Sequence, residues 1–131
     1  MDSSDWTDDL HERIDDLETH LRETRERFDP PEEPPDEECA MQILREGVGP
    51  TVWTYVEGRT GGRMTQFSPE EFERLERTMN GWLALYARCY GEEIDTEVTI
   101  RTAAEALVDT HNIRDVAQVL THVPPREQKR E

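Results

Sequence analysis

Lysine is almost missing from this sequence. Only Lys129 is present among 15 basic residues in a chain of 131, and 31 acidic residues give a formal net charge of −16. Hyperthermophilic proteins are usually enriched in lysine together with glutamate, so this composition argues against that class. Excess carboxylate keeps a protein hydrated where molar salt would promote association. The composition therefore predicts a protein of a salt-accumulating halophile, in preference to an ordinary acidic protein.

Long apolar runs are missing as well. No stretch approaches the roughly 20 apolar residues that a membrane-spanning helix needs. The N-terminus, MDSSDWTDDL, is acidic and lacks the basic and apolar regions of a signal peptide. We therefore expect a cytoplasmic protein that does not associate with a membrane.

Cysteine is scarce, and its two residues, Cys39 and Cys89, are far apart in the chain. Disulfides are rare in a reducing cytoplasm, and unreactive buried cysteines behave as small apolar side chains. We therefore expect two separate buried thiols and no disulfide.

Signatures of catalysis and of cofactor binding are also lacking. No glycine-rich loop follows a strand and opens a helix, as a phosphate-binding loop would. Cys89, His111 and His122 do not have the spacing of a zinc site, and we interpret the two histidines as residues at helix ends. Cys39 follows three acids that disfavour its thiolate. We expect no enzyme activity, no metal and no cofactor.

The first 28 residues, by contrast, have a clear pattern, that of one amphipathic helix. Apolar side chains recur at the a and d positions of about three heptads, and acids precede arginines by four residues, which stabilises a helix. A stripe this narrow suits one partner helix, which is either another copy of the chain, in a homodimer, or the protein's own body. The candidate interaction residues are Leu10, Ile14, Leu17, Leu21 and Phe28.

A proline-rich segment follows the helix and marks a change in composition. Four prolines within residues 29–36 end the helix and favour an extended linker. Residues 1–38 contain 16 acids and 4 arginines, whereas residues 39–131 contain 15 acids and 11 basic residues. We therefore divide the chain into a charged, coiled-coil-like helix (1–28), an acidic linker (29–36), a globular domain (37–123) and a disordered tail (124–131).

The globular domain is predicted to be α+β and predominantly helical. The run TVWTYV (51–56) is rich in β-branched and aromatic residues and predicts a strand. EGRTGGR (57–63) would form the turn, and a second strand would follow over residues 63–67. Such a hairpin needs a helix to pack against. The long helix that begins at Ser68 with a capping box and ends at Gly91 is the predicted partner.

Three shorter helices complete the predicted domain. One runs over residues 37–45 and stops at Gly47, and the last two, over 99–110 and 113–123, form an αα-hairpin with Asn112 at its turn. The faces expected to point inward include Leu107, Val108, Val119 and Leu120. Glycine inside a helix is unfavourable, so Gly81 in the long helix predicts the close approach of another element.

Nucleic-acid binding is the alternative function that we consider. Arg59 and Arg63 would lie at the hairpin tip beside the strand aromatics Trp53 and Tyr55, and such a combination can hold an anion, a nucleotide or single-stranded nucleic acid. We favour a core position for both aromatics, facing the long helix. The last two helices would present Arg114 and Gln118 as a helix-turn-helix does. They lack the clustered bases that phosphate contact needs, so we favour an αα-hairpin of the core.

Four segments resemble a family of small, uncharacterised proteins of haloarchaea. They are EEPPDE, LREGVGPTVWTYVEGRTGG, TMNGWLALYARCYG and THNIRDVAQVLTHVPP, and the resemblance covers about residues 29–126. The resemblance implies no activity, cofactor or site residue. We therefore expect a non-enzymatic protein-interaction module of a halophilic cytoplasm, which binds a protein partner or itself through the N-terminal helix.

Overall fold

The computed structural model describes residues 3–60, 68–95 and 97–123, with side chains described from residue 11 onward except at residues 59 and 60. Throughout this part of the chain the regular elements are helices, and no strand occurs among the described residues. They are α1 (Ser3–Arg27), α2 (Glu37–Ile43), a π-helical turn (Leu44–Val48, here the π turn), α3 (Gly49–Thr60), α4 (Pro69–Cys89), α5 (Ile100–Thr110) and α6 (Ile113–Thr121).

The prediction of an α+β fold with a hairpin is wrong. Residues 51–56, expected as the first strand, lie inside α3. A strand would bury alternate side chains, but here Thr51, Val52, Thr54, Tyr55 and Val56 are all buried. The hydroxyls of the two threonines donate to the carbonyl oxygens of Gly47 and Pro50, one helical turn back. Burial on several sides thus outweighs the strand preference of these residues. The expected second strand (63–67) lies outside the described residues.

The expected helix stop at Gly47 is also wrong, because the chain stays helical from α2 through the π turn into α3. Proline has no N–H and its ring clashes with the carbonyl four residues back, so an α-helix does not continue undisturbed through Pro50. The wider π turn lies directly before this point. The N–H of Gly49 donates to the carbonyl of Leu44, five residues back, which is the π-helical pattern.

Gly47 allows the π turn to lie directly on the ring of Trp82. A Cβ atom at position 47 would overlap the indole carbons Cδ2, Cε3 and Cε2. Trp82 is buried at the centre of α4 and contacts the ring of His20 on α1, with the centroids 5.1 Å apart. The indole therefore joins three elements, namely α1, α4 and the π turn.

Replacing Gly47 by alanine is expected to lower the free energy of unfolding by about 1–3 kcal/mol, since overpacking displaces a rigid, buried ring. Urea titrations of the variant and of Gly49→Ala give the comparison. A Cβ at position 49 meets only the Leu44 carbonyl oxygen, at 3.0 Å, so we expect the smaller loss there. Equal losses in the two variants would contradict this account of Gly47.

Helix α4 is the centre of the core, as its sequence predicts. The capping box is present: the Glu71 N–H donates to the Ser68 hydroxyl at 3.1 Å, and the Ser68 N–H donates to the Glu71 carboxylate at 2.9 Å. The buried apolar side chains of this helix are Leu75, Met79, Trp82, Leu83, Leu85, Tyr86, Ala87 and Cys89. Every other helix packs around this element or the π turn.

Helix α1 packs on α4 within the same molecule. Ile14 and Leu21 are buried in the common core, and Leu17 and Phe28 pack partly buried against it. The close approach predicted at Gly81 is confirmed, because a Cβ there would lie 2.6 Å from the Leu21 side chain. The two helices therefore share one apolar interface.

Ion pairs reinforce this contact at its edge. The guanidinium of Arg74 on α4 donates to both carboxylate oxygens of Glu18, at 2.8 and 2.9 Å, and to Asp15. Hydrogen bonding to Glu18, more than to Asp15, raises the pKa of Arg74 further above its usual range. His11 of α1 lies 2.9 Å from the Glu71 carboxylate. Polar side chains at the edge of the apolar interface, namely His11, Asp15 and Glu18, therefore also contact α4.

The expectation of two separate thiols is wrong, because Cys39 and Cys89 form a disulfide, with their Cα atoms 6.0 Å apart. Asp36 caps α2 as predicted, accepting from the Cys39 N–H at 3.1 Å, and its own N–H donates to the Cys89 carbonyl at 2.8 Å. The start of α2 therefore lies against the end of α4. The fold brings the two cysteines together, and their separation of 50 residues in the sequence does not indicate this proximity.

The predicted αα-hairpin is confirmed in α5 and α6. The side chain of Asn112 accepts hydrogen bonds from the backbone N–H groups of Arg114 and Asp115, which caps α6. His111 and His122 both lie at helix C-termini in the left-handed conformation, with φ of 55° and 60°. The hydroxyl of Tyr86 on α4 donates to the Val123 carbonyl at 2.7 Å, which attaches the end of this hairpin to the core.

A candidate docking groove between α1, α3 and the α5–α6 turn

A surface groove of about 970 Å³ lies on the described part of the chain. Its walls are α1, the π turn with the first half of α3, and the turn between α5 and α6. Apolar side chains form most of the lining, and the groove residues with apolar side chains are Leu17, Leu44, Pro50, Trp53, Val56, Leu107, Val108 and Ile113. This set defines what we call the groove.

Two of these apolar side chains are unusually exposed. Trp53 is 48% exposed and Val108 is 53% exposed, although both belong to residue types that are usually buried. Each lies on a different wall, Trp53 on α3 and Val108 on α5. An exposed aromatic beside other apolar side chains is typical of surfaces that bind another molecule.

The position of Trp53 follows from the helical conformation of residues 51–56. Its neighbour Tyr55 is buried and stacks on Phe72 of α4, with the ring centroids 5.8 Å apart. In a strand the two aromatics would share a face, as we expected, but in a helix residues two apart point in different directions. The core position expected for both is therefore correct for Tyr55 and wrong for Trp53.

Charged side chains and one histidine also line the groove. They are Arg13, Asp16, Arg45 and His111. Arg13 is already paired, because its guanidinium lies 2.8 Å from Glu57 and donates to the Thr54 hydroxyl at 3.3 Å. Arg45 is exposed on the π turn and makes no ion pair within the part of the chain that the structure describes.

A shallower depression of about 800 Å³ continues the groove along the face between α3 and α5. The two cavities share Val56 and Val108, while Arg101, Glu105 and Asp109 add polar groups to the second one. The apolar surface therefore extends on both sides of Val108.

The predicted interaction stripe of α1 has a different environment from the one that self-association requires. Ile14 and Leu21 are buried in the chain's own core, Phe28 packs against the Arg88 guanidinium at 5.6 Å, and Leu17 alone of the described members lines the groove. The side chain of Leu10 lies outside the described residues. The sequence left two partners open for α1, another copy of the chain or the protein's own body. In the structure of the single chain, α1 packs on the protein's own body.

Of the predicted nucleic-acid contacts, Arg114 and Gln118 lie one turn apart on α6. Arg114 is exposed and Gln118 is half-buried on α6, next to the exposed Asp115. The backbone of Arg59 lies in α3, but its side chain, like the whole of Arg63, lies outside the described residues. The proposed hairpin tip does not exist as such, because residues 51–60 are helical.

Val108 and Val119 were expected on the inward faces of the last two helices, yet both are about half exposed. Val108 lines the groove and Val119 does not. Helical periodicity assigns both to an apolar face, but each of these short helices packs only part of that face on the core.

Neither a membrane-spanning helix nor a metal-binding cluster is found among the described residues. No helix there is long and apolar enough to cross a bilayer. No group of three or more histidine, cysteine, aspartate or glutamate side chains there is arranged to hold a metal ion.

The described residues define a small helical fold with an open apolar groove between α1, α3 and the α5–α6 turn. The chain belongs to a family described as a domain of unknown function, DUF8055, whose model matches residues 8–125. No curated protein and no solved structure matches the chain. The expectation of an uncharacterised family is thereby confirmed.

Proposed function

We propose that this protein is a non-enzymatic interaction module of a halophilic, haloarchaeal cytoplasm, and that its docking surface is the groove. The observation that carries the proposal is an apolar cavity whose lining includes two half-exposed apolar side chains, Trp53 and Val108. Exposed apolar surface costs free energy and favours association, particularly in the high salt that the acidic composition suits. Docking a partner there would remove this surface from water.

The stripe of α1 is the less favourable docking surface. To pair with another helix through Ile14 and Leu21, the protein would first have to detach α1 from α4, exposing buried side chains and breaking the Arg74 ion pairs. In the described part of the chain the groove is open, and it needs no such rearrangement. Binding in the groove therefore avoids a cost that self-association through α1 would incur.

Site-specific crosslinking tests this proposal. A photoreactive amino acid replaces Val108 in one variant and Val119 in a matched control, because both valines are about half exposed but only Val108 lines the groove. After irradiation in cell extract with molar KCl, we expect one reproducible adduct from position 108, absent from position 119 and lost when Trp53→Glu is added. Mass spectrometry identifies the adduct and the crosslinked segment.

The proposal is wrong if positions 108 and 119 give the same adducts, or if Trp53→Glu leaves the position-108 adduct unchanged. Since Trp53 and Val108 are exposed, both variants are expected to retain the wild-type circular dichroism spectrum and melting temperature. That control separates a lost docking surface from a lost fold.

A further inference from the structure

The shape of the groove indicates the kind of molecule that fits it. Helices form its walls, and its anchors, Trp53 on α3 and Val108 on α5, are each about half exposed to solvent. Small ligands are usually enclosed, with most of their surface buried. An amphipathic helix, in contrast, lays one apolar face into an open groove and leaves its other face in water. The exposure of both anchors therefore favours a helix.

The charge of the groove indicates the polar chemistry of that helix. Two arginines and one aspartate line it, in a chain whose acidic residues outnumber its basic ones by 31 to 15. Arg13 already has Glu57 as a partner, whereas Arg45 has no carboxylate partner among the described residues. A carboxylate on the docked molecule would pair with Arg45, and Asp16 is the one carboxylate among the lining residues of the groove.

We propose that the groove binds an acidic amphipathic α-helix of a partner protein, with its apolar face on Trp53 and Val108 and a carboxylate beside Arg45. This inference rests on the proposed function and specifies the partner. A second folded copy is the weaker candidate, although α1 is itself an acidic amphipathic helix. Its apolar residues Ile14 and Leu21 are buried in the core of their own chain.

Titration with designed peptides tests the inference on the full-length protein. The probe is an acidic helical peptide of about 18 residues, with leucines on one face and glutamates on the other. One control has the same composition with the leucines scattered, and a second has lysine at every glutamate position. The readout is the NMR resonance of the Trp53 indole N–H in molar KCl.

We expect saturable binding of the acidic amphipathic peptide, a shift of the Trp53 resonance and no binding of the scattered control. Val108→Glu should weaken binding more than tenfold, because it places a charge on an apolar anchor. Arg45→Glu should weaken it roughly fivefold. The matched controls, Val119→Glu and Arg77→Glu, change exposed residues outside the groove and should leave affinity unchanged.

The outcomes separate this inference from the proposed function. If the lysine peptide binds as tightly as the acidic one and Arg45→Glu has no effect, the acidic partner is wrong, while sensitivity to Val108→Glu keeps the docking groove. Equal affinity of the Val108→Glu and Val119→Glu variants removes the groove itself. Saturable binding of monomeric oleate without peptide binding, or a dimer that Val108→Glu dissociates, overturns the inference in favour of a lipid-like ligand or a second copy.

Discussion

Reduction of the Cys39–Cys89 disulfide is expected to lower the free energy of unfolding by about 4 kcal/mol. The bond joins residues that are 50 positions apart, and a crosslink over a loop of that length removes much of the conformational freedom of the unfolded chain. For a domain of this size the change corresponds to a fall of roughly 15 °C in melting temperature. Thermal and urea unfolding, each with and without a phosphine reductant, measure it.

The double variant Cys39→Ser, Cys89→Ser is the control for this experiment. It should unfold at the same urea concentration with and without reductant, close to the reduced wild-type protein. A thiol titration of the urea-unfolded wild type should find no free thiol before reduction and two after it. Two free thiols before reduction, or a melting temperature that the reductant does not change, would show that the bond is not formed.

The same measurement bears on the compartment that we propose. Disulfides are rare in the cytoplasm of most organisms, although intracellular proteins of some hyperthermophiles are rich in them. Alkylation of the thiols in intact cells, before lysis, shows whether the pair is oxidised where the protein works. An oxidised pair in the cells would contradict the expectation that the cytoplasm we propose keeps these cysteines reduced.

Local chemistry predicted the starts of α4 and α6 well. Ser68 with Glu71 marks the start of α4, and Asn112 marks the start of α6, because each cap depends only on residues within one turn. Gly81 was similarly informative, since a glycine inside a helix indicates close packing. These signals are short in range, and for that reason they can be recognised in a single sequence.

Features that depend on distant residues were not predictable in the same way. The run TVWTYV has strand-forming residues, but burial against α4 and α5 and the π turn before Pro50 make it helical. The groove exists only because α1, α3 and the α5–α6 turn lie side by side, so Trp53 and Val108 carried no sign of a shared site. The exposure of an apolar residue is a property of the whole packing.

The packing of α1 leads to the second prediction, that Ile14→Ala lowers the free energy of unfolding by about 3 kcal/mol. Ile14 is fully buried in the core that α1 shares with α4. Removing its outer atoms loses apolar burial and leaves a cavity that the close-packed surroundings fill only partly. Urea unfolding at several protein concentrations measures the loss, and we expect a midpoint that does not depend on concentration.

Leu17→Ala is the matched control, because Leu17 lies on the same helix but lines the groove and is only half-buried. Its expected loss is about 1 kcal/mol, in proportion to the smaller apolar area that it buries. A self-associating coiled coil predicts a different result. There Ile14 and Leu17 occupy the a and d positions of one seam, so both changes would weaken a dimer similarly and the unfolding midpoint would rise with protein concentration. Light scattering on the same samples would detect that dimer, and its presence would return α1 to the role of the interaction surface.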